Sequence, residues 1–124
     1  MEERERIRDL AREFEKCRKV LTAIGDENRL HLIVEMMQMD KCMGVRVGEI
    51  TERTHLSRPA VSHHLQILKE AGILDMRSEG TKNYYYFDSD LSSMRMLIKT
   101  LQDAVDIASA LPDRSSGAEP GLDD

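Results

Sequence analysis

Between Ser57 and Gly72 the run SRPAVSHHLQILKEAG carries the marks of one short helix with both ends specified. Ser57 can accept a hydrogen bond from the N–H groups of a first turn, and Pro59 is tolerated there because those groups have no intrahelical acceptor. Gly72 stands where a helix closes on a left-handed residue. Between them, Val61, Leu65 and Leu68 recur at helical spacing, and a rotation of about 100° per residue puts them on one side. Two strand-like runs follow, ILDMRS and KNYYYFD, around the turn signal EGT. The three tyrosines and Phe87 suit a pleated strand. A further short helical segment, GEITERTHL with Ile50 inward, precedes Ser57. Two short helices joined by a tight turn, with a hairpin behind, predict a winged helix-turn-helix.

Longer helices flank this unit. Residues 3–24 read as one helix, with Ile7, Leu10, Phe14, Cys17, Leu21 and Ile24 on one stripe and charges of both signs elsewhere. Gly25 ends it, and Asp26 is placed to cap the next helix, ENRLHLIVEMMQM, whose Leu30, Ile33, Val34 and Met37 are expected on one side. DKCMGVRVG reads as a loop with a short extended piece at VRV. A last helix is expected to start at Asp88 or Ser89, with Leu91, Met94, Ile98, Leu101, Val105 and Ala108 again at spacings of three and four. Pro112 follows, and DRSSGAEPGLDD has the composition of a disordered segment. The expectation is a mainly α chain with a β-hairpin: a winged helix-turn-helix domain over residues 1–111 and a disordered acidic tail over 112–124.

The charge distribution permits a nucleic-acid partner where the net value of −5 argues against one. The tail sets Asp113, Glu119, Asp123 and Asp124 against Arg114 alone, and so carries −3 of the total. From His55 to Tyr86, Arg58, Lys69, Arg77 and Lys82 outweigh Glu70, Asp75 and Glu79 by one charge. No apolar run approaches the roughly 20 residues that span a bilayer, and MEERERIRDL is too charged for a signal peptide. Two distant cysteines make no disulfide framework, so a cytoplasmic setting is expected. There is no Gly-rich phosphate loop, nucleophile motif or supported carboxylate pair, and an enzyme is not expected.

On the helical wheel, Arg58, Ser62 and Gln66 lie opposite the apolar side, joined by His63, while His64 falls on its border. The two histidines point about 100° apart and cannot readily share one metal ion. A metal-binding helix would space its histidines at i and i+4. Arginine can reach guanine O6 and N7, glutamine can pair with adenine, and serine can take phosphate or base. The helix start beside Ser57 offers free N–H groups to a phosphate. The same wheel also describes an ordinary solvated face. Arg77 and Lys82, flanking the hairpin tip, favour the DNA reading, because a wing there can touch backbone or minor groove.

AIGDENRLHLIVEMM resembles the LGDPTRLRIL-type opening of the ArsR/SmtB metalloregulatory repressors. LSRPAVSHHLQILKEAGILDMRSEGTKNYYYFD is similar to that family's helix-turn-helix and wing, including the Ser-x-His-Leu core and the glycine before the second strand. The resemblance covers about residues 20–90, and the second segment is its specific part. It implies a homodimeric winged-helix repressor that leaves its DNA operator when an effector binds. Ser57, Arg58, Ser62, His63 and Gln66 would read or position the DNA, and Arg77 and Lys82 would anchor the wings. The first and last helices would form the dimer interface, through Leu10, Phe14, Leu21, Ile98, Leu101 and Val105. The two stripes could also be intrachain core, and a mixture is expected. A rival reading keeps the winged helix for protein contact without DNA; the acidic net charge supports it.

The chain departs from the family's metal patterns. Arg46 and Gly48 in VRVGEI occupy the positions of the Cys-x-Cys pair in the family's LCVCDL segment. The last helix has Asp90, Asp103 and Asp106 but none of the four histidines, so the interface zinc site is not expected. Cys17 lies on an apolar stripe, and burial is its expected role, although with Cys42 it is also a candidate effector-sensing thiol. Cys42 sits beside Lys41 among Met36, Met37, Met39 and Met43, where it could sense a soft metal or a thiol oxidant. No cofactor is otherwise expected.

Overall fold

In a computed structural model, which describes residues 2–39, 43–112 and 115, Cys17 splits the expected first helix in two. Helix α1 runs Glu3–Lys16 and α2 runs Arg18–Ile24. At the break Cys17 has φ −95° and ψ 3°, and its N–H is shared between the carbonyls of Glu13 (3.1 Å) and Phe14 (3.0 Å). The remaining elements are α3 (Glu27–Met39), α4 (Val47–Arg53), α5 (Arg58–Glu70), β1 (Leu74–Glu79), β2 (Lys82–Phe87) and α6 (Ser92–Ala110). The bend lets α1 lie along α6 while α2 packs on α5 and α3. Cys17 itself is buried there, its Sγ 3.5 Å from Thr100 Oγ1 on α6.

Asp26 caps α3 as expected, its Oδ1 accepting from the N–H groups of Asn28 (2.9 Å) and Arg29 (3.2 Å). The face that α3 buries differs from expectation. Arg29, Leu32, Ile33 and Met36 turn inward, whereas Leu30, Val34 and Met37 are exposed. Both sides of this helix are apolar, so periodicity alone does not choose between them. The Arg29 side chain does: it donates from Nε to the Ala23 carbonyl (2.6 Å) and from Nη2 to the Thr22 carbonyl (3.1 Å). Those bonds satisfy carbonyls left open at the end of α2 and fix the rotation of α3.

Leu32, Ile50, Val61, Leu65, Leu68 and Ile73 are fully buried and form the centre of the core. Helix α5 closes at Gly72 (φ +80°) with the paired bonds of a left-handed C-terminal cap: Gly72 N–H to the Lys69 carbonyl and Ile73 N–H to the Leu68 carbonyl, both 3.0 Å. The strands pair antiparallel from Leu74↔Phe87 to Glu79↔Lys82, leaving Gly80 and Thr81 as the turn. Gly80 has φ +63° and open space about its α-carbon, so backbone conformation rather than crowding calls for glycine. Strand alternation sends Leu74 and Tyr85 into the core, with Met76 and Phe87 packed against it. The extended piece expected at VRV is present as one bridge, Val45 exchanging two 2.8 Å backbone bonds with Tyr85.

The last helix begins later than Asp88 or Ser89. Asp88 Oδ2 accepts from the N–H groups of Asp90 (3.2 Å) and Leu91 (2.9 Å), which makes a side-chain turn, and α6 starts at Ser92. Its inward face is Leu97, Thr100 and Ile107, whereas Ile98, Leu101 and Val105 are exposed. On the first helical segment Leu10 and Phe14 are half-buried and Leu21 is exposed. The sequence stripes therefore divide: Cys17 belongs to the core, and much of the α6 stripe lies outside it. The tail expected over 112–124 falls almost wholly outside the described residues.

Candidate nucleic-acid interface

The turn between α4 and α5 holds its shape through Thr54, which is buried and whose Oγ1 accepts from Leu56 N–H (3.4 Å). Ser57 then caps α5, its Oγ accepting from Ala60 N–H (3.3 Å). Since Val61, Leu65 and Leu68 are wholly buried, the rotation of α5 is fixed, and Arg58, Ser62, His63 and Gln66 are all exposed together. That is the face expected from the wheel. Gln66 Nε2 donates to Glu70 Oε1 (3.1 Å), which orients the amide along the helix. Arg58 has a feature sequence reasoning missed: a Cβ built on Gly48 would lie 3.2 Å from its Nη1. The missing side chain at residue 48 leaves room for the guanidinium against the first turn of α4.

The outward face of the hairpin carries Asp75, Arg77 and Glu79 on β1 and Lys82, Tyr84 and Tyr86 on β2. Arg77 lies over the Tyr84 ring (4.9 Å to its centroid), near that of Tyr86 (6.0 Å), with Glu79 Oε2 3.5 Å from Nη2. The two rings hold the cation in place, so Arg77 is an oriented charge on the wing. Alternate tyrosines opposite a basic strand residue were the available signal for this contact. Lys82 is exposed at the strand end beside the turn.

The two histidines diverge, with ring centroids 6.1 Å apart and planes tilted by 50°. His63 is exposed and His64 half-buried, its Nδ1 3.3 Å from Arg29 Nη1. Burial is the main force lowering the His64 pKa below the ordinary imidazole value; Asp26 opposes it, and Arg29 and His63 add to it. Cys42 lies outside the described residues, whereas Cys17 is sealed in the core. Arg46 precedes α4, and its N–H donates to Glu49 Oε1 (3.0 Å).

Residues 26–75, which span α3, the helix-turn-helix and the start of the hairpin, match the description "Bacterial regulatory protein, arsR family". A helix-turn-helix-type transcriptional regulator of Methanocaldococcus jannaschii is 39% identical over 77 residues, 62% of this chain and 83% of that protein. The arsenical resistance operon repressor of Bacillus subtilis is 31% identical over 77 residues, 62% of this chain and 68% of the repressor. The chain belongs to the ArsR family. Its fold agrees with an ArsR-type solved structure, the homodimeric winged helix-turn-helix DNA-binding domain of a Mycobacterium bovis protein: TM-score 0.57, 26% identity, 75% of this chain and 83% of that one. As a member of this family the chain is a transcriptional regulator and not an enzyme. Among the described residues no group of three or more His, Cys, Asp or Glu side chains is placed to hold a metal ion. Among them, too, no helix is long and apolar enough to cross a membrane.

Proposed function

We propose that this ArsR-family regulator is a cytoplasmic homodimer that represses transcription by binding a pseudo-palindromic operator and leaves it when an effector binds. The observation that carries the reading is the polar face of α5, with Arg58, Ser62, His63 and Gln66 exposed together above a fully buried apolar side. The N-terminal end of such a helix enters the major groove, and two copies read half-sites about one helical turn, roughly 34–36 Å, apart. Ser57 and the Arg58 N–H face phosphate there, and Arg77 and Lys82 reach the backbone beside the wing. The dimer face is the exposed apolar side of α6, with Leu10, Phe14 and Leu21 beside it on α1 and α2. The effector class stays open between a soft metal or oxidant at Cys42 and an organic molecule.

Arg58→Ala is expected to weaken operator binding by about 1–3 kcal/mol, the worth of a bidentate base contact, and Arg77→Ala to weaken it less. Unchanged affinity in both variants would overturn this placement. Binding measured against salt should follow a slope of about −0.9 per phosphate neutralised. No binding to any DNA fragment would instead support the protein-contact role.

A further inference from the structure

We propose that Arg29 is a positioning residue for the DNA-reading helix: it holds α5 against the α2–α3 corner through the His64 ring, and only while that ring is neutral. The inference rests on the DNA reading given above. Arg29 is charged yet only 9% exposed. Its guanidinium reaches three places at once, the carbonyls of Ala23 and Thr22 at the end of α2 and His64 Nδ1 on α5. An arginine has five donors and no acceptor. At 3.3 Å the His64 Nδ1 must therefore offer its lone pair, which places the ring proton on Nε2. His64 immediately follows His63 of the reading face. A shift of its ring away from Arg29 turns that face.

Protonation of Nδ1 removes the acceptor and sets two cations against each other. The groups acting on the ring are Asp26 and Arg29 from the α2–α3 corner and His63 from its own helix. Arg18 and Lys19 of α2 line a groove with Ile67 and Glu70, toward the other end of α5. Because the folded chain favours neutral His64, the contact is complete above the ordinary imidazole pKa and is lost as pH falls through the lower folded value. DNA affinity then falls with acid. His63 faces outward on the same helix, so the test removes its ring.

The test is operator affinity from pH 8 to pH 5.5, using a fragment selected from random-sequence DNA and a His63→Gln background. The expected result is constant affinity at high pH and, below the His64 pKa, a loss approaching about tenfold per pH unit, the limit for one proton. Adding His64→Asn, whose Oδ1 stands where Nδ1 was and accepts from Arg29 at every pH, should keep the pH 8 affinity and remove the slope. Adding His64→Leu should weaken binding about tenfold even at pH 8, as expected when a buried donor loses its acceptor. The full acid slope surviving His64→Asn would overturn the proposal. So would a His64 ring that titrates at or above the ordinary imidazole value in an NMR titration of the free protein. If selection yields no DNA, the operator reading fails, and the ring titration still decides the contact.

Discussion

A chain carrying Ile98→Glu and Val105→Glu is expected to be a folded monomer and to bind operator about a hundredfold more weakly, the lower end of what joining two binding units contributes. Ile98, Leu101 and Val105 are 66%, 46% and 57% exposed on one side of α6, while Leu97, Thr100 and Ile107 serve the core from the other. The substitutions therefore leave the inner face of α6 untouched. Lys99, bonded to Glu13 Oε1 (3.3 Å) and Asp103 Oδ2 (2.8 Å), continues to tie α6 to α1. Each buried aliphatic side chain contributes about 1.5–3 kcal/mol, and a two-fold interface buries every one of them twice. Glutamates in their place would set charges into that proposed interface. Sedimentation equilibrium measures the association, and circular dichroism establishes that the monomer keeps its helices. A dimer of unchanged affinity would place the interface elsewhere.

Leu65→Ala is expected to cost about 2–5 kcal/mol of folding stability. That is a large part of the roughly 5–15 kcal/mol that holds a domain of this kind together. Leu65 has no exposed surface, and its neighbours Val61 and Leu68 are equally enclosed, so a cavity beneath α5 has little means of closing. Urea unfolding should show the midpoint falling. Arg58→Ala, on the exposed face of the same helix, should change stability by no more than about 0.5 kcal/mol while weakening DNA binding. The pair separates the side of α5 that folds the protein from the side proposed to read DNA. Equal loss of stability in both variants would contradict that division.

What the sequence made legible was written locally. Ser57, the Val61–Leu65–Leu68 side, Gly72 and the alternating strands each act within a few residues, and the structure places them as their chemistry predicts. The two faces of α3 could not be told apart because both are apolar, and the group that chooses between them, Arg29, works through contacts with α2 and α5. At the break, Cys17 packs against Thr100 on a helix far along the chain, a contact that local sequence does not show. The late start of α6 arises because Asp88 spends its carboxylate on a turn. On α6 the periodic stripe was visible, but periodicity does not say whether a partner lies within the chain or outside it. The Arg29–His64 bond joins residues 35 positions apart, and no local pattern announces it.

The bridge between Val45 and Tyr85 has a mechanical meaning. Two 2.8 Å bonds clamp the strand entering α4 to the second strand of the hairpin. On the DNA reading proposed above, α5 and the wing then move as one rigid unit, with a fixed span between groove contact and backbone contact. A protomer built this way has little freedom to adapt to a poorly spaced site. In the proposed dimer the adjustable dimension is the separation and tilt of the two units, and an effector would have most leverage by changing how the protomers sit on each other.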